Sequence, residues 1–268
     1  MALSAENRIV RALWIGPALS TLERLALASW LTHGHEVHLY AYAEIANVPP
    51  GVVLRDASEV ISEREIFTHT ERSGSGEGSP AGFANWFRYE VLHANGGWWA
   101  DTDVIGLRPW EFSEPYCFGL EDKTVVNVAV MKAPAGSDLT RTLRGIALRP
   151  HVGLPWEPRR KRLVRLAQQM WRRRHRGDLA WGQTGPQALT AAVKHLGLGA
   201  YVKPTACFYP IHYDEWPLPF SDSPRARELV RESHAVHLWN EMLRRGSLDK
   251  NATFHPASLI EEWKARYL

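Results

Sequence analysis

Cysteine and long apolar runs are scarce in this sequence. Only 2 cysteines, Cys117 and Cys207, occur among 268 residues, which is too few for a disulfide framework, and no cysteine–histidine spacing typical of a zinc site accompanies them. The first residues contain no apolar run suited to a signal peptide, and no uncharged stretch reaches the ~18 residues of a membrane-spanning helix. We therefore expect a cytoplasmic protein, soluble or associated with a membrane surface.

The chain also has little net charge, although one of its segments is strongly basic. The net charge is +3, with 45% hydrophobic and 23% charged residues, a composition typical of a globular protein rather than a disordered one. Residues 157–176, however, hold nine Lys/Arg against one Glu, so the rest of the chain is mildly acidic. We expect a single domain over 1–268 that carries one basic segment, 158–176.

The opening of the chain has the pattern strand, helix, strand. Residues 9–15 form a largely apolar run. Ser20 and Glu23 then have the spacing of a capping box at a helix start, and residues 36–42 alternate as a strand does. Such an opening is typical of a parallel sheet with a nucleotide crevice.

The same patterns continue along the chain and predict an α/β fold, a mixed sheet flanked by helices. Strand-like segments are 52–54, 98–100, 115–119, 125–132 and 235–239. Helix-like segments are 81–93, 138–148 and 186–196. Residues 73–80 (SGSGEGSP) are predicted to form a flexible loop.

Two carboxylates follow the apolar strand 98–100. Asp101 and Asp103 are two residues apart, and on an extended backbone such side chains point to the same side. At the end of a sheet strand they would face the ligand crevice, and carboxylate oxygens suit Mg²⁺ or Mn²⁺. Taken alone, the pair also fits a solvated turn.

Several motifs in order resemble the Asp-x-Asp sugar transferases of the GT-A fold, a Rossmann-like nucleotide-binding fold. The likeness is to bacterial capsular and lipopolysaccharide transferases related to the α-1,4-galactosyl and α-1,6-mannosyl transferases and, more distantly, to the clostridial glucosylating toxins. The motifs are residues 13–16, 33–37, Arg88 with the Gly96-Gly97 stop, Asp101 to Asp103, 182–186 and 237–240.

The resemblance implies a metal-dependent hexosyltransferase that uses a nucleotide sugar, a UDP-hexose by preference, and retains the anomeric configuration. Asp101, Asp103 and His237 would hold Mn²⁺ or Mg²⁺. Arg88 would act with the two aspartates in catalysis and contact the donor sugar or its phosphates. Trp14 would stack on the base. The other implied donor-binding positions are Gly16, Asn85, Gly97, Thr102, Trp239 and Asn240. The acceptor would be a glycan or a glycolipid.

One position departs from the family pattern. The family has Ser-Asp three residues before the arginine, with the Asp binding donor hydroxyls, where this chain has Ala84-Asn85. Asn85 can still form a hydrogen bond to a hydroxyl, but it carries no charge.

Structural readings compete with several of these roles. Trp14 and His237 both lie in apolar strands and fit core positions, and Thr184 with Pro186 fits a helix start. The spacing of His33, His35 and His38 favours turn chemistry over metal binding. At the level of function, a glycoside hydrolase with two carboxylates and a nucleic-acid-binding protein remain alternatives.

Within the basic segment, apolar residues follow helical spacing among arginines: Leu163, Leu166, Ala167, Met170 and Trp171. A cationic amphipathic helix of this kind suits an anionic membrane surface, which would fit a lipid-linked acceptor. A helix packed by its apolar stripe is the second interpretation. Nucleic-acid binding by the arginines is the least favoured.

Overall fold

The computed structural model describes residues 3–71, 76–172 and 174–268. The strands are β1 (Ile9–Leu13), β2 (Glu36–Ala41), β3 (Val53–Asp56), β4 (Gly97–Ala100), β5 (Val104–Gly106), β6 (Cys117–Leu120), β7 (Val126–Ala133), β8 (Val202–Lys203) and β9 (Ala235–His237). The helices are α1 (Ala5–Arg8), α2 (Thr21–Thr32), α3 (Ala81–Asn95), α4 (Asp138–Leu148), α5 (Arg159–Arg172), α6 (Pro186–His195), α7 (Thr205–Phe208), α8 (Pro224–Val230), α9 (Asn240–Arg245) and α10 (Leu259–Tyr267). Short 3₁₀ helices lie at Ala57–Glu59, Glu63–Glu65, Gly199–Tyr201, Tyr213–Glu215 and Leu218–Phe220.

Seven strands form one mixed sheet in the order β3-β2-β1-β4-β7-β6-β8. Strands β1 to β4 are mutually parallel, β7 runs antiparallel to β4 and β6, and β8 is parallel to β6. Strands β5 and β9 pair separately as an antiparallel ribbon. The predicted α/β class, a mixed sheet flanked by helices, is confirmed.

Two hydrophobic layers sandwich the sheet. Adjacent residues of β4 point to opposite layers, as the period of a strand requires: Trp98 belongs to the layer under α2 and α10, and Trp99 to the layer under α3, α4 and α6. Both indoles are buried. The two layers therefore fix the direction in which β4 leaves the sheet towards Asp101.

Helix α2 begins as the sequence predicts. The Ser20 hydroxyl accepts a hydrogen bond from the backbone N–H of Leu22, and the Glu23 carboxylate accepts one from the backbone N–H of Ser20 at 3.0 Å. This capping box satisfies donors that a helix start otherwise leaves free. From this start, α2 packs against β5, β2 and α10.

His35 is a structural residue, as its turn position favours. Its Nδ1 contacts the carbonyl oxygen of Asn7 at 3.0 Å, and its Nε2 accepts from the backbone N–H of Trp110 at 3.1 Å. Burial lowers the pKa of His35 to about 4, which keeps the imidazole neutral. His38 contacts Glu36 and His33 contacts Tyr267, so the three rings do not converge.

Three sequence-based expectations need comment. Residues 73–75 of the predicted flexible loop lie outside the described residues, whereas Gly78 and Ser79 form backbone hydrogen bonds with His69. The basic segment is helical over Arg159–Arg172, as predicted, and residue 173 lies outside the described part. No helix in the described ranges is both long and apolar enough to cross a bilayer.

Candidate active site

The candidate site lies where two adjacent parallel strands end. Strands β1 and β4 pair in register, with Val10 opposite Trp98 and Arg11 opposite Trp99, so Trp14 and Asp101 emerge at the same edge of the sheet. The chain proceeds from β1 to β2 on one side and returns to β4 on the other. This reversal of strand order creates the crevice at which open α/β sheets bind ligands.

Asp101 is held by a buried arginine. Arg88, on the inner face of α3, donates from Nη2 to Oδ1 of Asp101 at 2.6 Å, and Nε1 of Trp99 donates to the same oxygen at 2.7 Å. The Arg88 side chain is only 2% exposed, while that of Asp101 is 31% exposed. Arg88 thus lies beneath Asp101, which it orients, rather than in the open crevice.

The backbone between the two aspartates is a turn. The N–H of Val104 donates to the carbonyl oxygen of Asp101 at 3.0 Å, so the expected extended geometry with both carboxylates on one side is wrong. The turn forms because β5 leaves the main sheet to pair with β9. Asp103 consequently turns towards β9 and α9, while Asp101 faces Arg88.

Asp103 joins the two distant halves of the chain. Its Oδ2 accepts from the backbone N–H of Asn240 at 2.7 Å and lies 3.1 Å from Nε2 of His237. Its carbonyl oxygen accepts from the N–H of Leu238 at 2.8 Å. The structure therefore brings His237 and Asn240 to the aspartate pair, as the resemblance implies.

Burial and charge act in opposite directions on this pair. Burial alone would raise the pKa of Asp103, but His237 beside it and the Asn240 N–H lower that pKa below its ordinary value. Burial alone would lower the pKa of His237, whereas Asp103 and the nearby Asp101 raise it above its ordinary value. Each group thus favours the charged form of the other.

Asn85 connects α3 to the loop before α6. Its Oδ1 accepts from Nη1 of Arg88, and its Nδ2 donates to the Thr184 hydroxyl at 3.3 Å. The Tyr89 hydroxyl donates to the carbonyl oxygen of Thr184 at 2.7 Å. A Cβ at Gly185 would lie 2.9 Å from the Asn85 amide nitrogen, so glycine allows this close approach. Residues 184–185 therefore belong to the candidate site, and the N-cap of α6 is Gly185 rather than Thr184.

Trp14 lies half-buried immediately after β1. Its backbone N–H donates to Tyr40 at 2.9 Å, and the ammonium of Lys250 lies 5.8 Å from the ring centroid. A Cβ at Gly16 would lie 3.2 Å from the indole nitrogen, so Gly16 adjoins the ring. Lys250, which sequence reasoning missed, comes from the far end of the chain and also pairs with Glu23 at 2.6 Å.

Of the remaining predicted positions, two lie at the candidate site and one does not. Thr102 lies within the Asp101–Val104 turn, and Trp239 packs its ring 4.2 Å from that of His237. Gly97 does not belong to the site, because it opens β4 at the opposite edge of the sheet. At about 3.3 Å per strand residue it lies ~13 Å from Asp101, and a Cβ there would meet Nη1 of Arg11 at 3.0 Å.

Binding of a cation would require the side chains of this site to rearrange. Among the described residues, no three His, Cys, Asp or Glu side chains already surround a common point that could hold a metal ion. The donor types nevertheless fit Mn²⁺ or Mg²⁺, since two carboxylates and an imidazole meet at one crevice. The Nδ1 atom of His237 is buried without a hydrogen-bond partner, which is unusual for a buried polar atom.

Sequence reasoning also missed a carboxylate at the rim. Glu121, in the turn between β6 and β7, accepts from Nδ2 of Asn127 at 2.5 Å. Asn127 Oδ1 accepts from the Ala129 N–H, and Asp101 donates its N–H to the Ala129 carbonyl oxygen. Burial raises the pKa of Glu121. The available signal was Asn127 itself, a polar residue inside the apolar strand 125–132.

Comparison with known families agrees with this geometry. Residues 160–263 match the family model described as the alpha 1,4-glycosyltransferase conserved region. The match covers 104 of the 268 residues, so it shows a likeness to these transferases over that stretch. Thr184, His237 and Asn240 all lie within that stretch, so the resemblance to sugar transferases predicted from the sequence is confirmed.

Individual relatives extend the comparison. Lactosylceramide 4-alpha-galactosyltransferase of Mus musculus is 31% identical over 100 residues, which are 32% of this chain and 27% of that protein's length. The PaToxG glycosyltransferase is 12% identical, with a TM-score of 0.46 over 97% of this chain and 83% of that one. The UDP-bound glycosyltransferase domain of the YGT toxin is 11% identical, with a TM-score of 0.48 over 96% and 93%. Scores below 0.5 make the last two weak likenesses.

Proposed function

We propose that this chain is a GT-A glycosyltransferase that moves a hexose from a nucleotide donor, a UDP-sugar by preference, to a glycan or lipid-linked acceptor. The observation that carries the proposal is the meeting of Asp103, His237 and Asn240 beside the carboxyl ends of β1 and β4. Two of these three residues lie inside the matched family region. The name of the mouse relative, a lactosylceramide galactosyltransferase, supports both the hexose and the glycolipid acceptor.

In this proposal the donor lies across the ends of β1 and β4. Trp14 would stack on the base from the β1 side, with Gly16 leaving room beside the indole. Lys250 is a cation close to the same ring. Thr102 and Asn240 flank Asp103 on the diphosphate side, and Asn85 with Thr184 faces the sugar.

Asp101, Asp103 and His237 would hold Mn²⁺ or Mg²⁺. The cation would neutralise charge that develops on the departing diphosphate, which is its usual contribution to such a reaction. Arg88 acts through Asp101, which it orients by its hydrogen bond. His237 and the Asn240 N–H hold Asp103 in place and lower its pKa.

We propose that transfer retains configuration by displacement on one face of the sugar. The bond from the anomeric carbon to the phosphate oxygen breaks, and the bond to the acceptor oxygen forms on the same side. The acceptor proton passes to the departing diphosphate oxygen. The protein contributes mainly by positioning the two substrates, and a trapped covalent sugar–protein adduct would contradict this route.

The proposed location is cytoplasmic and peripheral to an anionic membrane surface. It is supported by the basic helix α5, and it would bring the site to a lipid-linked acceptor.

Thermal unfolding in the presence of UDP, UDP-galactose, UDP-glucose and GDP-mannose, each with and without Mn²⁺, tests the proposed function. A ligand at about 100 times its Kd stabilises the folded state by about 2.7 kcal/mol, which corresponds to a Tm increase of about 5 °C for a chain of this size. We expect this increase for UDP and a UDP-hexose with Mn²⁺, and its loss with EDTA.

The matched variants are Asp103→Asn and Asp222→Asn. Asn at 103 keeps an oxygen that can accept from the Asn240 N–H but removes the charge, whereas Asp222 is an exposed carboxylate in the loop before α8. Asp103→Asn should lose the Mn²⁺-dependent shift while Asp222→Asn retains it. A shift that survives EDTA and Asp103→Asn would refute the metal-dependent transferase.

A further inference from the structure

Helix α5 presents its apolar side chains to solvent. None of its residues is buried, and the exposed fractions are 66% for Leu163, 72% for Met170 and 83% for Trp171. Leu166 and Val164 are also exposed. Leu163, Leu166, Met170 and Trp171 follow the i, i+3, i+7 and i+8 spacing of one helix face. The face is contiguous and covered by no other described part of the chain.

Helix α4 shows what such a face does when the fold uses it. Its apolar residues Leu139, Leu143 and Ile146 have comparable helical spacing and are buried in the layer shared with α3 and α6. The apolar face of α5 therefore does not serve the core. An exposed contiguous apolar face in a folded protein generally marks a contact with something outside the chain.

The charge of α5 indicates what that contact is. The helix RRKRLVRLAQQMWR contains no acidic residue. Lys161, Arg165 and Arg172 are four and seven residues apart, so they lie on the side opposite Leu163 and Met170. One ion pair reaches the helix from its flank, between Glu157 and Arg165 at 2.6 Å. The helix thus combines a strongly basic side with an apolar side.

We propose that α5 lies flat on an anionic lipid bilayer, with Leu163, Met170 and Trp171 inserted at the boundary between headgroups and acyl chains. The basic residues would contact lipid phosphates and anionic headgroups. Nucleic acid would satisfy the arginines but would leave the apolar face in water. A second copy of α5 would cover the apolar face but would bring like charges together.

The attachment of α5 relates this surface to the candidate site. After the helix, Arg176 pairs with Glu65 at 2.8 Å and lies 4.6 Å from the centroid of the Trp86 ring on α3. The chain then continues to Thr184, which bonds Asn85. Docking of α5 would thereby hold the site near the bilayer. Only this consequence, delivery of a lipid-linked acceptor, rests on the proposed function.

Co-sedimentation of the full chain with vesicles tests the inference. Vesicles of phosphatidylcholine alone are compared with vesicles containing 30% phosphatidylglycerol, a composition chosen for the test, at physiological and raised salt. We expect strong pelleting with the anionic vesicles, weakened by salt, and little with the neutral ones. Equal pelleting with both vesicle types, or none with either, overturns the proposal.

Two variants separate the parts of the surface. Leu163→Ser/Met170→Ser/Trp171→Ser removes the apolar face, and Lys161→Glu/Arg165→Glu reverses charge on the basic side. Each should lower the vesicle partition coefficient at least about 10-fold. The control Val53→Ser/Leu54→Ser, two exposed apolar residues on β3, should leave it unchanged. Because no α5 residue is buried, unaltered circular dichroism and Tm should verify folding.

Two further measurements complete the test, binding of single-stranded DNA and the thermal shift with UDP and Mn²⁺. If the triple serine variant pellets like the wild type but the charge variant loses binding to both vesicles and single-stranded DNA, α5 is a nucleic-acid surface and the proposal fails. The thermal shift with UDP and Mn²⁺ should persist in the triple serine variant. Its absence in the wild type would refute the proposed function while leaving the vesicle result to stand or fall alone.

Discussion

Helices α3 and α5 both depart from the usual burial of apolar and exposure of charged side chains. Helix α3 buries a charged side chain, and helix α5 exposes apolar ones. The charge that α3 buries is that of Arg88, which lies inside the protein, where it donates hydrogen bonds to Asn85 and Asp101. Helix α5 exposes Leu163 and Trp171. A buried charge is tolerated only with partners, and an exposed apolar face persists where an external contact uses it. Both departures from core packing therefore lie where we propose a function, the donor site beside α3 and the lipid surface on α5.

Removal of the Asp101 carboxylate, which lies above Arg88, should have the largest effect on the free energy of unfolding. Asp101→Ala leaves a buried guanidinium without its anionic partner, and such a loss lowers the free energy of unfolding by about 4 kcal/mol. Urea unfolding followed by circular dichroism measures it. Asp138→Ala is the matched control, because Asp138 pairs with Arg141 at the exposed surface and should cost under about 1 kcal/mol. Equal losses for the two variants would mean that Arg88 does not depend on Asp101.

The second-largest effect should be the difference in stability between alanine substitutions of a leucine on α4 and a leucine on α5. Leu143→Ala removes a buried side chain and should lower the free energy of unfolding by about 3 kcal/mol. Leu163→Ala removes a side chain that is already in water, so in the absence of lipid the change should stay within about 0.5 kcal/mol. The measurement is urea unfolding of both variants without vesicles. A large loss for Leu163→Ala would show that α5 is packed, and the docking surface would then not exist.

The bounds of the helices could be predicted from the sequence better than the contacts that the helices make. Helix α4 has the bounds predicted for it, 138–148, because a serine cap and a regular apolar face are local signals. Helix α5 was likewise predicted from periodicity. Periodicity could not show that α4 is packed and α5 is not, since both sequences have an apolar face and only tertiary contacts decide which one is covered.

The candidate site was predicted in composition but not in geometry. His237 and Asn240 were expected beside Asp103, yet the turn after Asp101 depends on the pairing of β5 with β9, whose paired residues are 129 to 133 positions apart in the chain. Lys250 carries no local signal of its position, and the signal for Glu121 lay in Asn127 rather than in Glu121 itself. Gly97 was misplaced because a motif gives residue order but not the edge of the sheet. The single domain over 1–268 stays a prediction.

The smallest effect should come from Asn85→Asp on α3, the position where this chain departs from the family that its sequence resembles. The aspartate keeps the oxygen that accepts from Arg88, and the Thr184 hydroxyl, which now accepts from Asn85 at 3.3 Å, can rotate to donate to the new carboxylate. The added charge lies beside a guanidinium that Asp101 already neutralises. Gain and burial cost should therefore nearly cancel, with a change within about 1 kcal/mol, or a few degrees in Tm.

Asn85→Leu is the control for that substitution, since it leaves Arg88 and Thr184 without the amide and should cost about 1–3 kcal/mol. Thermal unfolding of both variants gives the comparison. If Asn85→Asp proves as destabilising as Asn85→Leu, the amide N–H to Thr184 is essential and cannot be replaced by a reversed hydrogen bond. In that case the loop at 184–185 requires asparagine itself, and the buried polar network of α3 is specific in the direction of each hydrogen bond as well as in charge.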